Sequence, residues 1–181
     1  MGAEVYWYYT DYQPDLNAAL QTLRQREFQA GRYNPAIPLL DFPITENSPA
    51  PGAQHISIEA ALEASDVDGT RSILDILRVD DRPCPLSRDE FEEALGGGEE
   101  FYQILGEVFN TAFLLPPAEL MTLFGTEKPT HDMIQSVLLG NTNPNGRNQF
   151  WDSIDRGSAR YIIVYADNQP REIFFAGYSF D

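Results

Sequence analysis

Asp66-Val67-Asp68-Gly69-Thr70 places two carboxylates two residues apart, ahead of a glycine. Hard cations such as Mg2+ and Ca2+ take oxygen ligands of this kind. In a calcium-loop frame with Gly69 at the sixth position, Asp66, Asp68 and Asp75 fall on the third, fifth and twelfth. Ala64 then falls on the first and brings no oxygen, and Asp75 stands where a bidentate Glu is needed. The spacing therefore predicts no cofactor, no firmly held metal, and at most a weakly bound divalent cation at Asp66 and Asp68. The plainer reading is a polar turn between helices, with Gly69 at positive φ. The two histidines, His55 and His131, have no companion at metal-ligand spacing. His131, beside Asp132 at an expected helix start, joins Asp66 and Asp68 as a candidate catalytic group. Ser136 and Ser153 lack the G-x-S-x-G elbow of a hydrolase nucleophile. Cys84, the single cysteine, sits in Arg82-Pro83-Cys84-Pro85 with nothing to lower its pKa, and it cannot form an internal disulfide.

Over the five residues Asp66 to Thr70 the chain resembles the D-x-D-G-T motif of haloacid-dehalogenase-like phosphotransferases. The resemblance implies Asp66 as the nucleophile on phosphorus, Asp68 handling the leaving-group proton, and magnesium at both. It also requires the motif at the end of a buried parallel strand. The preceding Ile58 to Ser65 reads as a helix, and no strand–helix alternation points to a doubly wound parallel sheet.

The elements that must position these groups follow from hydropathy patterning. Tyr161–Tyr165 and Ile173–Ala176 are apolar on both faces, with the turn-forming Ala166–Arg171 between them. They predict a β-hairpin covered on both sides and set in the middle of the fold. Glu4–Thr10 reads as a strand that pairs with it. Helices are expected over roughly 14–30, with Arg24, Arg26 and Glu27 on the outer face, and from Ser57 to about Ala64. Residues 70–79 fit a helix slightly better than a strand. Ser87 and Glu90 form a capping box, Glu99-Glu100 open another helix, and further helices run from Pro117 to Gly125 and from Thr130 to Gly140. Asn141–Asn148 reads as a polar loop before a last short helix at Phe150–Ile154. Five prolines make the segment at about 33–54 extended rather than helical. The expected fold is α+β: a single domain over 1–181, with a small antiparallel sheet made of an N-terminal strand and a C-terminal β-hairpin, and several short helices packed against it.

Charge narrows the function. The net charge is −16, and residues 51–100 carry 13 acids against 4 arginines. A nucleic-acid binder needs a basic face for phosphates, and docking on anionic lipid needs the same, so neither partner is expected. No apolar run is long enough to span a membrane, and the N-terminus lacks a basic leader, so a soluble cytoplasmic protein is expected. Arg24, Arg26 and Arg32 beside Tyr33 form the one local basic cluster, but Arg24 and Arg26 diverge by about 160° on a helix and should pair with nearby acids. The leading expectation is a non-catalytic protein-binding or regulatory module whose acidic 59–100 region meets a basic protein partner. The candidate binding residues are Tyr6, Trp7, Arg32 and Tyr33. A further reading is a housekeeping module whose ligand surface is the proline-rich wrap against the aromatic N-terminal strand, which requires Tyr6, Trp7, Tyr8 and Tyr9 to leave an open apolar groove. The alternative is a metal-assisted hydrolase or phosphatase using Asp66 and Asp68.

Overall fold

Asp167 and Asn168 both adopt positive φ, 51° and 59°, as a two-residue type I′ turn requires. They join β4 (Ala159–Ala166) to β5 (Gln169–Tyr178), the longest paired strands of the protein. The turn is therefore tighter than the six-residue loop the sequence suggests. The structure is a computed structural model and describes residues 3–33, 55–97 and 102–180. Most of the proline-rich segment and Glu99-Glu100 lie outside the described residues.

The sheet has five strands in the order β1-β5-β4-β3-β2. β1 (Val5–Asp11) pairs antiparallel with β5, as expected. The other side corrects the sequence reading: β3 (Thr111–Leu114) runs parallel to β4, and β2 (Arg78–Asp80) runs parallel to β3. The protein is α+β with a mixed sheet, not a small antiparallel one. β2 and β3 are three and four residues long, too short to show a two-residue period. β3 also follows a helix directly, the switch being made by Asn110 at φ 57°.

Helices clad both faces of the hairpin. On one face Leu20 and Leu23 of α1 (Leu16–Gln29), Ala61 of α2 (Ile58–Asp68) and the 3-10 turn Ile73–Asp75 pack on Tyr161, Ile173 and Phe175. On the other, α5 (Pro117–Phe124), α6 (His131–Ile134), a π-turn over Gln135–Leu139 and α7 (Pro144–Asp152) bury Ile162, Val164 and Phe174. α3 (Arg88–Leu95) and α4 (Tyr102–Val108) pack on Phe113 of β3. Residues 70–79 are thus a 3-10 turn followed by a short strand rather than one helix. The loop at 141–148 is already helical from Pro144, because Asn143 caps it by accepting from the Gly146 N–H. The Ser87–Glu90 capping box forms as expected. Among the described residues no helix is long and apolar enough to cross a membrane.

α1 differs in its outer face. Arg24 and Glu27 are buried, not exposed. Arg24 donates to the Leu74 carbonyl at 3.0 Å. Glu27 is 1% exposed and accepts two bonds from Arg32, at 2.6 and 2.9 Å, and one from Arg26 at 2.9 Å. Burial alone would raise its carboxyl. The bonds from Arg32 and Arg26 outweigh burial and hold it below the usual glutamate range.

Two outcomes are expected. A Cβ at Gly177 would stand 2.6 Å from the Tyr6 hydroxyl and 2.8 Å from the Ser158 carbonyl, so Gly177→Ala should lower unfolding free energy in urea by about 1–3 kcal/mol. Because the folded value of Glu27 is depressed, its contribution is present above its unfolded pKa and is lost as pH falls through the folded one. Glu27→Gln should therefore cost about 1–2 kcal/mol at pH 7, discounted because both arginines reach solvent, and the cost should shrink as pH falls below the ordinary glutamate range, vanishing only below the depressed folded value.

Candidate functional site

Strand alternation sends the side chains of Tyr6 and Tyr8 to one face of the sheet and those of Trp7 and Tyr9 to the other. Trp7 thus meets Trp151 of α7 edge-on, with ring centroids 6.3 Å apart. Trp151 is held firmly. Its Nε1 donates to the Leu138 carbonyl at 3.1 Å, and its ring packs edge-on against Phe150 and Tyr178. Trp7 is 46% exposed. Together with Val5, Leu138, Leu139 and Arg147 these rings line a cleft of about 310 Å3.

A second cleft, of about 500 Å3, shares Asp152 and Tyr178 with the first, so the two adjoin. Its walls are Arg88, Glu92 and Leu95 of α3, with Asp155 and Arg156 from the segment after α7. Arg88 leans on Asp152: its Nη1 donates to the carbonyl at 3.3 Å and lies 3.7 Å from the carboxylate. Asp155 is 5% exposed, and its Oδ2 is shut off from water with no hydrogen-bond partner among the described residues. Burial pushes this carboxyl above the usual aspartate range, against the opposing pull of Arg160 and Arg88. Arg160 does not neutralise it by contact; its guanidinium is taken by the Ser153 and Ala159 carbonyls, at 2.6 and 3.2 Å. The double cleft therefore offers an aromatic wall at one end and an under-solvated carboxylate at the other. Chemically, an apolar or aromatic group and a cation are the complements of these two walls.

The residues singled out from sequence are scattered. Trp7 alone among Tyr6, Trp7, Arg32 and Tyr33 lines this site. Tyr6 is buried on the opposite face. Tyr33 is buried, stacked near Phe28 and His55, with its hydroxyl 2.9 Å from His55 Nδ1. Arg32 is engaged by Glu27. His131 stacks on Tyr9 with centroids 4.3 Å apart, and its Nδ1 lies 2.8 Å from Glu172, tying α6 to the hairpin. Asp66 and Asp68 lie on the last turn of α2, which runs on through Asp68 to Gly69 at φ 80° instead of ending near Ala64. That is the end of a helix, not of a parallel strand. The Asp68 side chain lies outside the described part of the structure. Asp66 lines a separate cleft of about 230 Å3 with Asp75, Phe109 and Phe180. There Asp75 Oδ1 accepts from the Ser65 and Thr70 hydroxyls, both at 2.6 Å, and from the Thr70 N–H at 2.7 Å, which fixes the α2 exit. Among the described residues no three His, Cys, Asp or Glu gather as metal ligands would.

Trp151, Asp155 and Tyr178 were not marked by the sequence. The one local signal was that the chain has only two tryptophans, Trp7 and Trp151, and both stand here. Their unequal anchoring has a measurable consequence. Trp151→Phe, which strands the Leu138 carbonyl, should cost about 1–2 kcal/mol in urea unfolding, whereas Trp7→Phe should stay within about 0.5 kcal/mol of wild type. Compared with known proteins, the chain matches no family model, and neither a curated protein nor a solved structure matches it.

Proposed function

We propose that the protein is a non-catalytic binding module whose double cleft receives a basic segment of a protein partner. The observation that carries this reading is Asp155: a buried carboxylate with an unpartnered oxygen, lining a cleft that opens directly onto the Trp7–Trp151 wall. An ammonium or guanidinium in the cleft offsets the charge of the buried Asp155 carboxylate through space, since its Oδ2 is itself closed to solvent. A neighbouring aliphatic or aromatic side chain gains burial against the rings. The outer face of α3 adds Asp89, Glu92 and Glu93, all exposed, so part of the acidic region borders the site. A net charge of −16 also draws a basic partner in and repels acidic ones.

Because both tryptophans stand in the cleft, intrinsic fluorescence reads it directly. The probe is the end-blocked peptide KLKFKLK, with ELEFELE as its charge-reversed control. Saturable change in tryptophan emission is expected with the first peptide alone. Affinity should fall about tenfold as salt rises from about 0.05 to about 0.5 M, and should weaken in both Asp155→Asn and the surface variant Glu92→Gln. Equal responses to the two peptides, no response to either, or indifference to both substitutions would overturn the reading.

A further inference from the structure

The sheet's β1 margin stands beside the same cleft, and its backbone polarity can be read from the register. Ser179 N–H donates to the Glu4 carbonyl and Tyr12 N–H to the Arg171 carbonyl, so even-numbered residues of β1 turn their backbone groups inward to β5. Odd-numbered residues then turn theirs outward. Tyr9 confirms it, since its outward carbonyl accepts from Arg26 at 2.8 Å. Val5 and Trp7 have outward N–H and C=O groups with no backbone partner among the described residues, and their side chains line the aromatic cleft. One short stretch therefore presents free ladder groups and a side-chain pocket together.

We infer that an extended, basic partner segment adds to β1 as a sixth strand at Val5–Trp7, seating alternate apolar side chains against Trp7 and Trp151, while a cation just beyond the strand's end, past Val5, reaches the Asp155 cleft that Ala3 also lines. The inference rests on the binding reading above and specifies its mode. Strand addition draws affinity from main-chain hydrogen bonds and selectivity from pockets for every second side chain, and both are in place here. Arg26 caps the ladder at Tyr9, which limits the added strand to about four or five residues. Charge decides the occupant. A second copy of this chain pairing β1 on β1 would bring two bodies of net charge −16 together, with Glu4 and Asp11 at the seam. A lysine- or arginine-bearing strand meets the opposite sign at Glu92, Asp152 and Asp155.

The test uses KLKFKLK N-methylated on alternate residues, either on the Leu and Phe amides or on the Lys amides, against the whole protein. In a strand, one set of amides faces the partner edge and the other faces solvent. Antiparallel addition that puts the apolar side chains in the cleft turns the Leu and Phe amides towards β1. Methylating those should weaken binding about tenfold or more, while methylating the Lys amides leaves it nearly unchanged. The reverse asymmetry supports parallel addition, because a parallel ladder uses the neighbouring residues. Equal effects of the two methylation patterns overturn strand addition. If unmodified KLKFKLK still shifts tryptophan emission in that case, the binding module stands and only its mode fails. Failure of the unmodified peptide as well removes both. Self-association of the protein that the peptide dissolves, seen by sedimentation, would assign the edge to a second copy and overturn the inference.

Discussion

Everything in this fold answers to a hairpin that is dry on both faces. Tyr161 and Phe175 point one way, Ile162 and Phe174 the other, and none of the four reaches solvent. A strand pair of that kind is stable only between two apolar layers and between two neighbouring strands. The chain supplies the layers as α1 with α2, and as α5 to α7. It supplies the neighbours as β1 and β3. The parallel pairing of β3 follows from this geometry. The polypeptide leaves β3, lays α5 to α7 across the sheet, and returns to begin β4 on the same end, so the crossover is itself one of the required covers.

The covers end before the sheet does, and the cleft lies at that margin. Among the described residues β1 has a strand on one side only, and Val5 and Trp7 stay close to half exposed although Tyr6 between them is buried. The π-turn and α7 reach Trp151 and Tyr178 but stop short of enclosing Trp7. A native edge of this kind is an aggregation hazard unless something manages it. Here Arg26 closes one end at Tyr9, and acids stand around the other. The same acids that discourage self-pairing set the sign of the potential along this edge.

Sequence patterning revealed what local chemistry controls. The hairpin, the Ser87–Glu90 box and the Pro117 and Thr130 helix starts were readable because their signals lie within a few residues. β2 and β3 were not, since three and four residues carry no period and their stability comes from β4 alongside. Arg24 and Glu27 look like an exposed charged pair on α1, yet both are buried, because Arg32 and the Leu74 carbonyl arrive from beyond the helix to satisfy them. The DxDGT letters drew attention to a helix exit whose order is set by Asp75, a residue beyond the motif. The cleft was the least legible feature of all: Trp7 and Trp151 are 144 positions apart and meet only through the sheet.

Asp155 and Asp75 show how one physical situation can have two outcomes. Each is a buried carboxylate with an oxygen left over, and burial raises both above the usual range. Asp75 also borders a cleft, but three donors bond its other oxygen, so its charge is spent on holding the α2 exit in place. Among the described residues the Asp155 side chain has no hydrogen-bond partner; the nearby arginines act on it through space, and Arg160 is committed to carbonyls. A carboxylate left in that condition destabilises the fold unless it is protonated or gains a cation. Both carboxylates border clefts, so what separates them is the donor set: three hydrogen bonds hold Asp75, and none reaches the Asp155 carboxylate among the described residues.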